Sequence, residues 1–151
     1  MAWSDRLTEL GIELPSVAPP AGAYVPAVRS GSLVYTAGQV PFVDGVVAAT
    51  GKVGAEVDPE AAKGHARTCA LNALAAVDAL VGIDAVVRVV KVVGYVASAD
   101  GFTAQPAVLN GASELLGEIF GEAGKHARAA VGVAELPLGV PVEVELIVEV
   151  A

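Results

Sequence analysis

The stretch ARAAVGVAELPLGVPVEVELIVEV, residues 127–150, decides how the chain folds around its most unusual residue. Its apolar runs predict two strands, and Leu136-Pro137-Leu138-Gly139 predicts the turn between them. Arg128 lies among alanines and valines, where a guanidinium is costly to desolvate without an anionic partner or ligand. We expect the hairpin to bring Glu143 and Glu145 back towards Arg128. One cation beside a carboxylate in an apolar wall predicts a pocket for a small acid.

The composition fits one domain with a substantial core. Of the 151 residues, 54% are hydrophobic and 17% charged, and the mean hydropathy is +0.62. This is more apolar than a typical monomeric domain, yet no apolar run has the length of a membrane span, so we expect subunit contacts and no membrane partner. The first residues lack the pattern of a signal peptide, and Cys69 is the only cysteine. We therefore expect a cytoplasmic protein without disulfides.

Charge and ligand chemistry exclude two classes of partner. The net charge is −8, and the nine basic residues are scattered rather than gathered in a stripe, which disfavours nucleic acid. No His, Cys or Asp cluster has metal-ligand spacing, so no metal and no cofactor are expected. Cys69 lies on the apolar stripe of a predicted helix, where a small buried hydrophobe is the ordinary interpretation.

The order of the predicted elements indicates the fold class. Residues 1–20 are expected to form an N-terminal extension with a short helix, and residues 21–151 one domain. Within that domain the patterns predict two strands, a flap at Asp44-Gly45, a helix capped by Asp58, a strand over 86–96, a helix over 106–120 and two final strands over 127–133 and 141–150. This order predicts an α+β fold, a single mixed β-sheet with two helices packed on one face. Because the strand over 86–96 is apolar on both faces, we expect further copies of the chain to cover the other face.

Five segments resemble the RidA/YjgF family of reactive-intermediate deaminases, while the N-terminal extension and Gly124-Lys125-His126 resemble a longer, less characterised branch of that family. In chain order they are Gly22–Pro26 (GAYVP), Tyr35–Pro41 (YTAGQVP), Leu109-Asn110, Ala127-Arg128, and Leu136-Pro137 through Val142–Glu145 (VEVE). Together they cover the chain from about Tyr24 to Val150, and the Arg-to-Glu spacing with the Gly-Gln-Val-Pro turn is their most specific part. The resemblance implies a chorismate-mutase-like fold and a homotrimer with clefts between neighbouring subunits.

The resemblance also implies a reaction and roles for individual residues. Arg128 is expected to anchor the carboxylate of a 2-imino or enamine acid, and Glu143 to position the hydrolytic water. Tyr24 and Asn110 match positions that line the cleft, and Gly38 and Gln39 supply backbone contacts to the substrate. The implied reaction is hydrolytic deamination to a 2-oxo acid and ammonia, with no cofactor and no metal.

Structural interpretations of the same residues stay open. Without the resemblance, Arg128 is as consistent with a structural ion pair to Glu143 or Glu145 as with a ligand site. The alternating glutamates fit a solvated strand face, Tyr24 fits a half-buried packing tyrosine, and Asn110 fits the exposed side of a helix.

The chain also departs from the commonest family pattern. Ala37 and Ala129 stand where many members have Ser, and Ala130 replaces a frequent Cys. These departures leave a second functional hypothesis, a non-catalytic trimeric binding module for a small carboxylate metabolite. Endoribonuclease activity, which some relatives carry in their names, is opposed by the acidity of the chain.

Overall fold

The computed structural model describes residues 1–151, which form three α-helices and seven strands. The helices are α1 (Trp3–Leu10), α2 (Pro59–Val81) and α3 (Gln105–Phe120). The strands are β1 (Ala27–Ser30), β2 (Leu33–Thr36), β3 (Phe42–Val43), β4 (Val46–Val47), β5 (Val86–Ala97), β6 (Ala127–Val133) and β7 (Val142–Val150). The elements follow one another in the predicted order.

Five strands form one mixed sheet in the order β1-β2-β7-β5-β6, and β3 and β4 form the separate flap. β5 and β6 run parallel, as strands joined through a helix can, and every other neighbouring pair is antiparallel. The predicted pairing of the last two strands as a hairpin is wrong, because β5 lies between them and is hydrogen-bonded to both. The turn keeps β6 near β7, but each of the two strands pairs with the apolar strand β5 and not with the other.

Both long helices lie on one face of the sheet, which confirms the predicted α+β arrangement. Along β7 the even-numbered residues are buried and the odd-numbered ones half-buried, so a single face meets the helices. β5 contributes Val89, Val92 and Val96 to that buried face, and all three are fully inaccessible. The opposite face of the sheet, which we call the open face, is not covered within one chain and includes the exposed Val28, Tyr35 and Val131.

Two local signals form as predicted. The Asp58 side chain accepts a hydrogen bond from the backbone N–H of Glu60 at 3.1 Å, and Pro59 occupies the first turn of α2. Asp44 and Gly45 connect β3 to β4 with φ values of 52° and 77°. Positive φ at both turn positions defines the tight I′ hairpin that Asp-Gly favours.

The N-terminal helix α1 packs against the domain. The Trp3 indole N–H donates to the carbonyl of Val86 at 2.7 Å, and its ring meets Phe120 edge-on with centroids 5.0 Å apart. Leu7 is buried in the same core. None of the helices in the chain combines the length and the apolar character needed to cross a bilayer.

Candidate functional site

Arg128 lies on β6, the edge strand of the sheet, beneath α3. Its backbone pairs with Val92, a residue of the helix-covered face, so the guanidinium lies on the same side of the sheet as α3. The Nη1 group donates to Oδ1 of Asn110 at 2.8 Å and to Oγ of Ser113 at 3.1 Å. The structure therefore places Asn110 and Ser113 in direct contact with Arg128. We call Arg128, Asn110 and Ser113 the arginine half-site.

The guanidinium of Arg128 keeps part of its hydrogen-bonding capacity free. A guanidinium carries five N–H donors, two of them on Nη1. Asn110 and Ser113 account for both Nη1 hydrogens, while Nε and Nη2 donate to no group in the chain. Arg128 also takes part in none of the ion pairs. The Nε–H and one Nη2–H point in the same direction, which is the edge that binds a carboxylate in bidentate fashion.

A second group of predicted residues lies elsewhere, around a cavity of about 250 Å³. Its wall is mainly apolar, and Glu143 is its only charged residue. The wall includes Tyr24, Gly38, Gln39 and Glu143, which we call the glutamate half-site. Backbone hydrogen bonds of 2.8 and 3.0 Å between Gln39 and Val144 hold the Gly38-Gln39 segment against β7.

Glycine at position 38 makes room for the Glu143 carboxyl group. A Cβ atom at this position would lie 3.0 Å from Cδ and 3.2 Å from Cγ of Glu143, and closer still to Oε1. Such approaches are below van der Waals contact, so only glycine lets the carboxyl occupy this place. The Glu143 oxygens accept no hydrogen bond from the chain and remain available to water or a ligand.

The environment of Glu143 favours its protonated form. Burial raises the pKa of the Glu143 carboxyl, and the charge of Glu145 on the same strand face raises it further. Glu145 itself accepts a hydrogen bond from the Tyr95 hydroxyl at 2.9 Å. That bond is the leading cause of a raised pKa of Tyr95, because it binds the phenol proton. A carboxyl with a raised pKa accepts a proton more readily than an ordinary glutamate does.

Within one chain, Arg128 and Glu143 do not meet. Arg128 aligns with Leu146 across β5, and Glu143 lies three residues further along β7 on the opposite face. Two strand spacings of about 4.8 Å and three rises of about 3.4 Å place their Cα atoms about 14 Å apart. The expectation that a hairpin brings Glu143 and Glu145 towards Arg128 is therefore wrong. The two half-sites occupy separate positions on the subunit.

Two residues beside Arg128, Ser113 and His126, are not among the site residues that the sequence predicts. In the structure His126 Nε2 lies 2.9 Å from Ser113 Oγ, and His126 Nδ1 lies 2.6 Å from the carbonyl oxygen of Gly124. One signal was available, because Asn110 and Ser113 are three residues apart and three-residue spacing places side chains on the same side of a helix.

The remaining reactive side chains form no site. Cys69 is buried, and burial raises the pKa of its thiol well above the ordinary range, which keeps it protonated and unreactive. No three His, Cys, Asp or Glu side chains are grouped so that they could hold a metal ion.

The fold and the two half-sites define a class of protein: an α+β domain with one mixed sheet, an available arginine at the sheet edge and an available glutamate beside a small apolar cavity. The family model described as Endoribonuclease L-PSP matches residues 15–150, and the chain belongs to this family, which includes YjgF and RidA. The predicted family membership is confirmed.

Individual relatives agree with this assignment. Protein TCP17 of Trypanosoma cruzi is 45% identical over 146 residues, covering 95% of this chain and 91% of that protein. The crystal structure of Atu1372 from Agrobacterium tumefaciens, a protein of unknown function, is 45% identical with a TM-score of 0.90, covering 99% of this chain and 92% of that one. RidA from an Antarctic Psychrobacter is 30% identical with a TM-score of 0.63, covering 89% and 94% of the two chains.

Proposed function

We propose that this protein hydrolyses reactive 2-imino and enamine acids to 2-oxo acids and ammonia, in clefts between neighbouring subunits of a homotrimer. The observation that carries the proposal is the free Nε/Nη2 edge of Arg128, held in place by two hydrogen bonds but without an anionic partner. Membership of the family that includes RidA supports the reaction class.

The separation of the two half-sites supports a site shared between subunits. Arg128 and Glu143 lie about 14 Å apart at their Cα atoms by strand geometry and on opposite faces of the sheet, too far to act on one small molecule. The open face carries exposed apolar residues such as Val28, Tyr35 and Val131, which association would remove from water. In the proposed trimer, a neighbour covers part of this face and extends around the β6 edge, where its glutamate half-site meets the arginine half-site of the first subunit.

The arginine half-site would orient the substrate. The carboxylate of the imino acid accepts hydrogen bonds from Nε and Nη2 of Arg128, each contributing about 1.5–3 kcal/mol. Asn110 and Ser113 restrain the guanidinium, so little rotational freedom is lost on binding. The fixed carboxylate then places the adjacent imine carbon in the cleft, with the substrate side chain against apolar residues of the cavity such as Phe42 and Leu138.

The glutamate half-site would activate water. The water oxygen attacks the imine carbon while Glu143 accepts a proton from it, and the C=N π electrons move to nitrogen. Glu143 returns this proton to the nitrogen, which gives the neutral carbinolamine. Glu143 then transfers the carbinol proton to the same nitrogen, the C–N bond breaks with its electron pair moving to nitrogen, and ammonia leaves as the C=O bond forms. An enamine first gains a proton at its β carbon and loses one from its nitrogen to become the imine. The raised pKa of Glu143 suits both proton acceptance and proton return.

The test is clearance of imines produced in situ by an amino-acid oxidase from small amino acids, measured against their spontaneous hydrolysis. We expect Arg128→Ala to abolish the enhancement and Glu143→Gln to lower it about a hundredfold, with residual activity that remains measurable. Arg29→Ala and Glu149→Gln are matched controls, since Arg29 is exposed on β1 and Glu149 lies far along β7, and both should retain activity. Clearance that is unchanged by Arg128→Ala would refute the proposed anchor.

A non-catalytic binding module is the second candidate. Alanine at positions 37, 129 and 130 removes hydroxyl and thiol groups that many family members have near the cleft. Calorimetric binding of 2-oxo acids together with no enhancement of imine hydrolysis would favour this function over catalysis. Binding that is absent for every 2-oxo acid tested would remove it.

The family description mentions endoribonuclease activity, but the chain does not favour it. The net charge is −8, and the cavity beside Glu143 has no lysine or arginine to bind phosphates. RNA cleavage that survives Glu143→Ala would indicate a contaminating nuclease.

A further inference from the structure

A chain of hydrogen bonds runs from Arg128 into the body of the subunit. Arg128 Nη1 lies 3.1 Å from Ser113 Oγ, which lies 2.9 Å from His126 Nε2. The other ring nitrogen of His126 lies 2.6 Å from the carbonyl oxygen of Gly124. The chain thus links β6 to α3 and then to the short helical turn Gly121–Gly124.

When the His126 imidazole is neutral, donor and acceptor chemistry fixes the direction of every bond in this chain. A carbonyl oxygen only accepts, so His126 Nδ1 carries the proton. The neutral imidazole then has an unprotonated Nε2, which accepts the hydrogen of the Ser113 hydroxyl. A guanidinium only donates, so the Ser113 oxygen accepts from Arg128. The Ser113 hydroxyl thus accepts from Arg128 and donates to His126, and the three bonds are mutually consistent.

His126 keeps Ser113 in this orientation. A serine inside a helix ordinarily turns its hydroxyl hydrogen to the carbonyl four residues earlier. At position 113 the hydrogen goes instead to His126, which leaves the oxygen lone pair directed at Arg128. Gly124 completes the arrangement, because a Cβ there would lie 2.9 Å from the backbone carbon of Leu116 and would push the Gly124 carbonyl away from the histidine.

We propose that Ser113 and His126 are positioning residues that hold Arg128 with its Nε/Nη2 edge presented to the substrate carboxylate. This inference rests on the proposed function and adds two residues to it. Without Ser113, one Nη1 hydrogen loses its partner and the guanidinium can rotate about Cδ–Nε. Without His126, Ser113 returns to its own helix and Arg128 loses the same bond.

The first experiment measures carboxylate binding and turnover. We expect Ser113→Ala and His126→Leu to raise the Kd for pyruvate and the KM for the imine about tenfold, the loss of one charged hydrogen bond, with kcat unchanged. Ser113→Thr, which keeps the hydroxyl, and His126→Gln, whose amide oxygen can replace Nε2 as acceptor, should restore most of the affinity. A fall in kcat with unchanged KM would overturn the positioning role. So would a failure of Ser113→Thr and His126→Gln to restore the affinity when both variants are folded.

The second experiment needs no substrate and separates this inference from the proposed function. Nitrogen-15 NMR of the neutral imidazole should show His126 protonated on Nδ1 and not on Nε2. Hindered rotation of the Arg128 guanidinium should be visible in the native protein and lost in Ser113→Ala. If the protein clears no imine yet shows both signatures, the deaminase proposal fails and the positioning stands. An Nε2-protonated His126, or equal guanidinium rotation in both proteins, refutes the positioning.

Discussion

Replacing Gly38 by alanine tests the contact that places Glu143. The backbone of Gly38 is not in the left-handed region, so alanine introduces no backbone strain. Its Cβ would lie 3.0 Å from Cδ of Glu143 and closer to Oε1, and the carboxyl must therefore move. Since the displaced group is the end of a flexible side chain, a strained rotamer costs about 0.5–1.5 kcal/mol at most. Removing a glycine from the unfolded chain offsets about 0.4–1 kcal/mol of that cost.

The expected effect on activity is much larger than the effect on stability. If Glu143 positions and activates the water, its displacement removes a general-base contribution of about a hundredfold or more. A hundredfold loss corresponds to about 2.7 kcal/mol in the activation barrier. The Gly38→Ala variant should therefore unfold at about the same temperature as the native protein, while it loses most of its imine clearance.

The assay combines oxidase-coupled imine clearance with thermal unfolding, and includes a double-mutant cycle. In a Glu143→Gln background, Gly38→Ala should cause no further loss, because the group it displaces is already inactive. Gly117→Ala is the matched control, as a Cβ at that helical position meets nothing within 4 Å. The role assigned to Glu143 would be refuted if Gly38→Ala cleared imines as fast as the native protein. It would also be refuted if Gly38→Ala lowered imine clearance further in the Glu143→Gln background.

Three further predictions concern other parts of the chain. In the proposed mechanism the ionised form of Glu143 is the base, and the charge of Glu145 raises the pKa of Glu143. Glu145→Gln should therefore lower the pKa of Glu143 and move the acid limb of the pH–rate profile to lower pH; an unmoved limb would contradict the coupling. Gly111→Ala should lower the free energy of unfolding by about 1–3 kcal/mol or more, because the added Cβ meets the backbone of α2. Gly117→Ala on the same helix is the control and should raise the free energy of unfolding by up to about 1 kcal/mol. Equal urea midpoints for the two variants would refute this packing. Asp58→Ala should cost about 1 kcal/mol in urea unfolding through loss of the helix cap, and Asp58→Asn should retain most of it.

Much of the fold was predictable because its signals are local. The Asp-Pro start of α2 and the Asp44-Gly45 turn depend on hydrogen bonds and φ values within a few residues, and both formed as expected. The apolar period of each segment likewise predicted the order of strands and helices. These features require no knowledge of what a segment later packs against.

Strand partners were not predictable in the same way. The short turn after β6 suggested a hairpin with β7, but β5 provides seven paired residues to β6 and lies between the two. Partner choice depends on which arrangement buries the most apolar surface over the whole sheet. A single turn contributes little to that balance.

The residues alone showed which kinds of chemistry are present: an arginine among apolar residues and a glutamate on an alternating strand. The folded chain was needed to show that Arg128 bonds to Asn110 and Ser113, that His126 supports this pair, that Gly38 makes room for Glu143, and that Glu143 lies on the other face. Side-chain identity sets the charge and the hydrogen-bonding capacity, whereas non-local packing of strands and helices sets which of these groups lie within reach of one another.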